Sequence, residues 1–176
     1  MSHHSVAVYV GVWATALGIT DKKVLDIGSF DVNGNNKTHF TGEYTGLDFR
    51  EGPNVDLVSD SWSVPAADSS FDVIVSTEML EHDEHPERTF AEIRRLMKPE
   101  GHVILTCRGP GYPKHEWPND FHRFTPKDLG LWLEHLGFVA LDTRGDVQAP
   151  GAMAVGFLPK DAPLLVGEPP AIKGLC

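Results

Sequence analysis

The sequence predicts a doubly wound α/β domain: a mainly parallel seven-stranded sheet with helices on both faces and the last strand antiparallel. Three observations predict it. Short apolar runs alternate along the chain with segments of helical periodicity, which is the pattern of βαβ units. The first run, K-V-L-D-I, is apolar at almost every position and closes on Gly28, as a parallel strand buried on both faces does. The composition, 41% hydrophobic and 23% charged over 176 residues, is that of one globular domain of ordinary size.

The elements follow in order. From Ser5, the residues Val6, Tyr9, Val10, Trp13 and Leu17 recur at helical spacing, and Gly18 suits a left-handed cap, so an amphipathic helix opens the chain. Lys23 to Ile27 is the first strand. Tyr44 to Asp48, Val55 to Val58, Phe71 to Ser76 and His102 to Cys107 repeat the short apolar run, and Asn35 to Gly42 has room only for a short helix. Between the last two of these strands, His85 to Lys98 places Phe90, Ile93 and Met97 on one face, with Pro86 at a first helical position and K-P-E-G as the stop. Thr125 opens the next helix: it pairs with Asp128 as a capping box, Pro126 sits in the first turn, and Leu129, Trp132, Leu133 and Leu136 form the buried stripe up to Gly137. Phe138 to Thr143 and Ala152 to Phe157 form a closing strand pair across a turn-rich connection. Residues 1–158 are read as one domain, and 159–176, with prolines from Pro159 to Pro170, as a C-terminal extension.

Several function classes are disfavoured. The apolar stretch from Val6 to Ile19 is too short to span a bilayer, holds Gly11, Thr15 and Gly18, and lacks a basic flank, so neither a targeting segment nor a membrane partner is expected. Cys107 and Cys176 provide no disulfide framework and no metal spacing, which suits a reducing cytoplasm. A formal net charge of -10 repels a bare duplex, leaving only a local basic patch for nucleic acid. His3 and His4 read as an exposed terminal pair rather than a metal clamp.

In a doubly wound sheet, ligands sit outside the carboxyl ends of the strands, so chemistry is sought in the loops there. The loop Gly28 to Gly34, G-S-F-D-V-N-G, leaves a buried strand through a glycine, which lets backbone approach a ligand. Asp48 ends the second strand about twenty residues further on, the separation at which a carboxylate accepts from both hydroxyls of an adenosine ribose. Asp60, followed by Ser61 and Trp62 in the loop just after the third strand, offers an acceptor for an amino group beside an aromatic ring.

These segments, V-L-D-I-G, Y-T-G-L-D, V-S-D-S-W-S-V-P, F-D-V-I-V-S-T-E-M-L-E-H, E-I-R-R-L-M-K-P-E-G and R-F-T-P-K-D-L, resemble in order the class I S-adenosylmethionine-dependent methyltransferases from about Val24 to Phe157. The resemblance implies a Rossmann-like fold, S-adenosylmethionine as cofactor and S-adenosylhomocysteine as product. It implies that Gly28, Ser29 and Phe30 line the methionine part of the donor, with Asp26 supporting the loop or the amino group. Asp48 would hold the ribose and Phe49 flank the adenine. Asp60 and the backbone of Ser61 would read the adenine edge, and Trp62 and Thr77 close the site. One departure is visible: where the family loop reads G-x-G-x-G, five residues separate Gly28 from Gly34.

The acceptor is sought in the long loop Arg108 to Phe124, rich in aromatics and histidines. Tyr112, His115, Trp117 and Arg123 are the candidate substrate residues, with Lys114 a further cation for an anionic group. His82 and His122 are the candidate catalytic residues, and R-F-T-P gives Arg123 a structural alternative at a helix start. The run E-H-D-E-H, Glu81 to His85, contains metal-ligand residue types but follows an ordinary family pattern, so no metal is expected. The activity implied is methyl transfer to a small-molecule or modified-metabolite acceptor. The alternatives are a noncatalytic binding or assembly module, and transfer to a nucleotide or nucleic-acid base, although no N-P-P-Y-like motif is present. A nicotinamide oxidoreductase is disfavoured because the first loop lacks G-x-G-x-x-G.

Overall fold

The computed structural model describes residues 4–116, 119–163, 165 and 167–172. Helix α1 (His4–Ala16) precedes strand β1 (Val24–Ile27), a single 3-10 turn (Asn36–His39) and strands β2 (Tyr44–Asp48), β3 (Leu57–Val58) and β4 (Phe71–Thr77). Helix α2 (Pro86–Leu96), strand β5 (Met97–Arg108), helix α3 (Pro126–His135) and strands β6 (Val139–Gly145) and β7 (Gly151–Phe157) complete the chain. The seven strands form one sheet in the order β3-β2-β1-β4-β5-β7-β6. β3, β2, β1, β4 and β5 pair in parallel, and β7 inserts between β5 and β6, antiparallel to both.

The helices cover the two faces unequally. One core cluster joins Phe90, Ile93 and Leu96 of α2 and Leu129, Trp132 and Leu133 of α3 to Leu25, Ile27, Ile74, Val103 and Leu105 of the sheet. On the opposite face, Val6, Tyr9, Val10 and Ala14 of α1 pack with Val24, Val73, Val75, Ile104 and Val155. Phe90 stacks on Trp132 at 4.5 Å between ring centroids, so the two helices of the first face share one aromatic contact. Ala162 and Ile172, beyond the last strand, also pack on the first cluster. Among the described residues no helix is long and apolar enough to cross a membrane.

Three local differences from the sequence expectation have physical causes. Helix α2 stops at Leu96 rather than reaching Lys98, and Met97 already pairs with Phe71. Pro99 disfavours a helical residue before it and has no N–H to donate, so K-P-E-G forms a bulge, with Glu100 at φ +64°, before β4 and β5 re-pair at Val73 and His102. Strand β3 shrinks to Leu57–Val58, because Val55 closes a turn by donating to the Gly52 carbonyl. The Asn35 to Gly42 segment holds only the turn Asn36–His39, capped by the Asn35 side chain accepting from the Lys37 amide at 3.1 Å.

Candidate active site

β1 lies between β2 and β4, so the strand order reverses at its carboxyl end and the loops part there into a crevice. A cavity of about 590 Å³ fills it. Gly28 turns the chain out of β1 at φ +83°, its amide donating to the Leu47 carbonyl at 2.8 Å. A Cβ at this position would lie 2.6 Å from Cγ of Met79, so both backbone and packing call for glycine. Below it, Asp26 is buried and accepts from Nδ2 of Asn36 at 3.1 Å and from the Tyr44 hydroxyl. Burial pushes the Asp26 carboxyl up to about 6, against the opposing hydrogen bonds from Tyr44 and Asn36. Nδ2 of Asn36 also donates to Oγ1 of Thr77 at 3.1 Å, so the 3-10 turn ties the first loop to β4.

Asp48, 8% exposed, accepts the Phe30 amide on Oδ2 and the Arg50 amide on Oδ1, both at 3.3 Å. Burial pushes its carboxyl above the usual carboxylate range. Ser29 and Asn54 lock the loop through two reciprocal hydrogen bonds of 2.9 Å, Ser29 Oγ to the Asn54 carbonyl and Asn54 Nδ2 to the Ser29 carbonyl. The Asn54 carbonyl comes so close to β2 that a Cβ on Gly46 would sit 1.9 Å from it. The Arg50 guanidinium stacks 4.1 Å from the Phe30 ring, whereas the Phe49 ring stays 57% exposed. After β3, Asp60 is exposed, Ser61 Oγ meets Thr89 Oγ1 at 2.6 Å, and the Trp62 ring stands edge-on to His85 at 5.8 Å. Asp26, Gly28, Ser29, Phe30, Asp48 and Phe49 line one cavity together with Asp60, Ser61, Trp62 and Thr77.

The opposite wall is less faithful to expectation. His82 and His115 line the cavity, with ring centroids 4.7 Å apart. Burial lowers the pKa of both imidazoles. Tyr112, His122 and Arg123 are not among the lining residues. Trp117 lies outside the described residues. Arg123 is buried as a loop clamp: it ion-pairs with Asp120 and donates to the carbonyls of His122 at 2.7 Å and Pro113 at 3.2 Å. Its guanidinium faces inward to the loop. Tyr112 packs under the Arg108 guanidinium at 4.4 Å, the His122 ring lies 6.2 Å from that of Phe124, and Lys114 pairs with Glu116 at 2.5 Å.

Sequence reasoning missed a buried polar centre behind this wall. Glu78 follows β4 at φ +55° and binds Arg108, itself 2% exposed, and accepts from Thr106 Oγ1 at 3.2 Å. Asp146 reaches Arg108 from the other side at 3.8 Å. Glu81 is wholly buried beside them, and burial pushes both glutamate carboxyls upward. E-M-L-E-H contained both glutamates, but no periodicity separates a buried glutamate from one that starts a helix.

A family model described as a methyltransferase domain matches residues 25–105. The chain is 29% identical over 122 residues to the phthiotriol/phenolphthiotriol dimycocerosates methyltransferase 1 of Mycobacterium ulcerans (strain Agy99), covering 61% of this chain and 45% of that protein. It thus spans about half the length of the curated relatives it matches. Among solved structures, the Burkholderia thailandensis 1,6-didemethyltoxoflavin-N1-methyltransferase, with bound 1,6-didemethyltoxoflavin and S-adenosylhomocysteine, superposes with a TM-score of 0.67 at 16% identity, over 89% of this chain and 80% of that one. The (4+2)-cyclase SpnF has the same TM-score, 0.67, at 16% identity, over 88% of this chain and 81% of that one. A fold shared with a cyclase does not by itself fix the reaction. The methyltransferase-domain match covers β1 through most of β5, and the sheet topology is the fold shared with these solved structures.

Proposed function

We propose that the chain binds S-adenosylmethionine in the cavity at the carboxyl ends of β1, β2 and β4 and transfers its methyl group to a small-molecule or modified-metabolite acceptor, releasing S-adenosylhomocysteine. One observation carries this reading: all ten residues expected at the donor site, drawn from three strand ends and three loops, line the same cavity. Asp26 supplies a carboxylate for the donor's ammonium group. Asp48 holds its two oxygens through long backbone hydrogen bonds, which leaves lone pairs for the ribose hydroxyls. The exposed Phe49 ring offers a face to the adenine, and Asp60 an acceptor for its amino group.

Methyl transfer breaks the sulfur–methyl bond of the sulfonium as the acceptor's lone pair forms the new bond in line, so the site's task is to position and to exclude water. A hydroxyl or thiol acceptor also loses a proton, for which the cavity-lining imidazoles of His82 and His115 are the candidate bases. The cavity is in the range of small-molecule pockets, roughly 300–1,000 Å³, and the net charge of -10 disfavours a nucleic-acid acceptor. The names of the Mycobacterium ulcerans and Burkholderia thailandensis proteins point the same way. A cytoplasmic setting suits Cys107, a buried free thiol. The test is transfer of a labelled methyl group from the donor to fractionated small-molecule extract and, in parallel, to oligonucleotides. Label is expected in the small-molecule fraction and lost with Asp48→Ala; label on nucleic acid alone would contradict the acceptor class.

A further inference from the structure

We propose that Glu81, His82 and His115 form a binding site for one divalent transition ion, zinc foremost, on the acceptor side of the cavity. One carboxylate oxygen and one nitrogen of each imidazole all lie within 4.8 Å of one another. Around a tetrahedral zinc with bonds of about 2.0–2.2 Å, ligand atoms stand about 3.3 Å apart, so small side-chain rotations close the site. His82 Nε2 is already 4.0 Å from Glu81 Oε1.

Two independent features point to a cation there. Glu81 is 0% exposed, and neither of its carboxylate oxygens has a well-formed hydrogen bond among the described residues; the nearby amides of Glu81 and Arg108 and the Arg108 guanidinium offset its burial only in part. A buried carboxylate in that state calls for a positive charge. Arg108, whose charge acts on Glu81, is shared with Glu78 and Asp146. His82 also carries the outer acceptor that orients a metal-binding imidazole, and His115 stands beside a carboxylate. His82 Nδ1 bonds the Asn119 carbonyl, and His115 Nδ1 lies 3.2 Å from the Asp120 carboxylate, which Arg123 holds in place. The Asn119 carbonyl keeps the His82 proton on Nδ1 and its lone pair on Nε2.

Two imidazoles and one carboxylate suit zinc and its neighbours, whereas magnesium and calcium favour oxygen ligands. Because His82 and His115 line the cavity, an open coordination position would face the acceptor. On the proposed methyl-transfer reading, this selects acceptors that approach through an oxygen, whose proton the ion would make easier to lose. The local run E-H-D-E-H could not show the site: Asp83 is committed to Thr89 and the His85 amide, and the third ligand arrives from the loop after β5.

The test is competition between the full-length protein and a chromogenic chelator for zinc, after stripping with EDTA, in a background carrying His3→Ala and His4→Ala to remove the terminal pair. One equivalent is expected to bind, with affinity falling by at least roughly tenfold in His82→Ala, His115→Ala and Glu81→Gln proteins of unchanged circular dichroism. No zinc bound by the folded protein, or binding indifferent to His115→Ala, would overturn the site. Donor titration of the same preparation is a separate readout: zinc bound without S-adenosylmethionine would sink the methyl-transfer reading and leave the metal site standing.

Discussion

Asp26 shows how a single residue can report on ligand and stability together. Its carboxyl, near 3.8 in the unfolded chain, is pushed up to about 6 by burial in the fold. The folded protein therefore holds the proton more tightly, and this group's contribution to stability falls as pH rises from 3.8 to about 6. The penalty is complete above that window and amounts to about 3 kcal/mol. Urea melts of the donor-free protein should show that fall, and Asp26→Asn should remove it. A cationic ammonium group at Asp26 favours the ionised form, so donor affinity should rise with pH through about 6 in the wild type and stay flat in Asp26→Asn; a flat wild-type profile would rule out the pairing. Gly28→Ala places a side chain at φ +83° against Met79 and should cost about 1–3 kcal/mol in urea melts while abolishing donor binding. Adding Met79→Ala should recover only part of that loss, since the backbone conformation remains. The residues expected at the donor site were legible as one cavity's lining because each sits within a few positions of a strand end. Asn36 and Glu78 were not, because their roles arise from partners on other elements.

At the scale of elements, the loop after β5 and helix α3 separate a structural arginine from a substrate-binding one. Arg123→Ala leaves the Asp120 carboxylate buried without its cation, and should lower stability by about 3–5 kcal/mol. Segment 109–124 should then become protease-sensitive while the donor still binds. Arg123→Lys should recover little, because a point charge cannot reach both carboxylate oxygens and the carbonyls of His122 and Pro113. Unchanged melting of Arg123→Ala would contradict the clamp. The capping box of α3 was legible to the residue: Thr125 Oγ1 accepts the Asp128 amide at 3.2 Å, and Asp128 accepts the Thr125 amide at 2.8 Å. Thr125→Ala should cost about 1 kcal/mol in the same melts. The end of α2 and the start of β3 were less legible, because a proline and a turn acted on residues whose apolar pattern continued past the break.

Across the whole molecule, the order of motifs along the chain was enough to anticipate the sheet, since each short apolar run became a strand and β7 took the antiparallel place. Chain order could not anticipate that α1 and one 3-10 turn would serve the face opposite α2 and α3, nor that the loop after β5 would bring His115 beside His82. The strand reversal at β1 is what lets five loops gather around one cavity, and donor binding there is the central claim. Calorimetric titration of the folded protein with S-adenosylmethionine and S-adenosylhomocysteine, alongside folded Asp48→Ala and Asp60→Ala, tests it most directly. Saturable binding at one site is predicted, weakened about 10–100-fold by Asp48→Ala through lost hydrogen bonds to a charged group and less by the exposed Asp60→Ala. A folded wild type that binds neither compound, or variants that bind as the wild type does, would contradict the account.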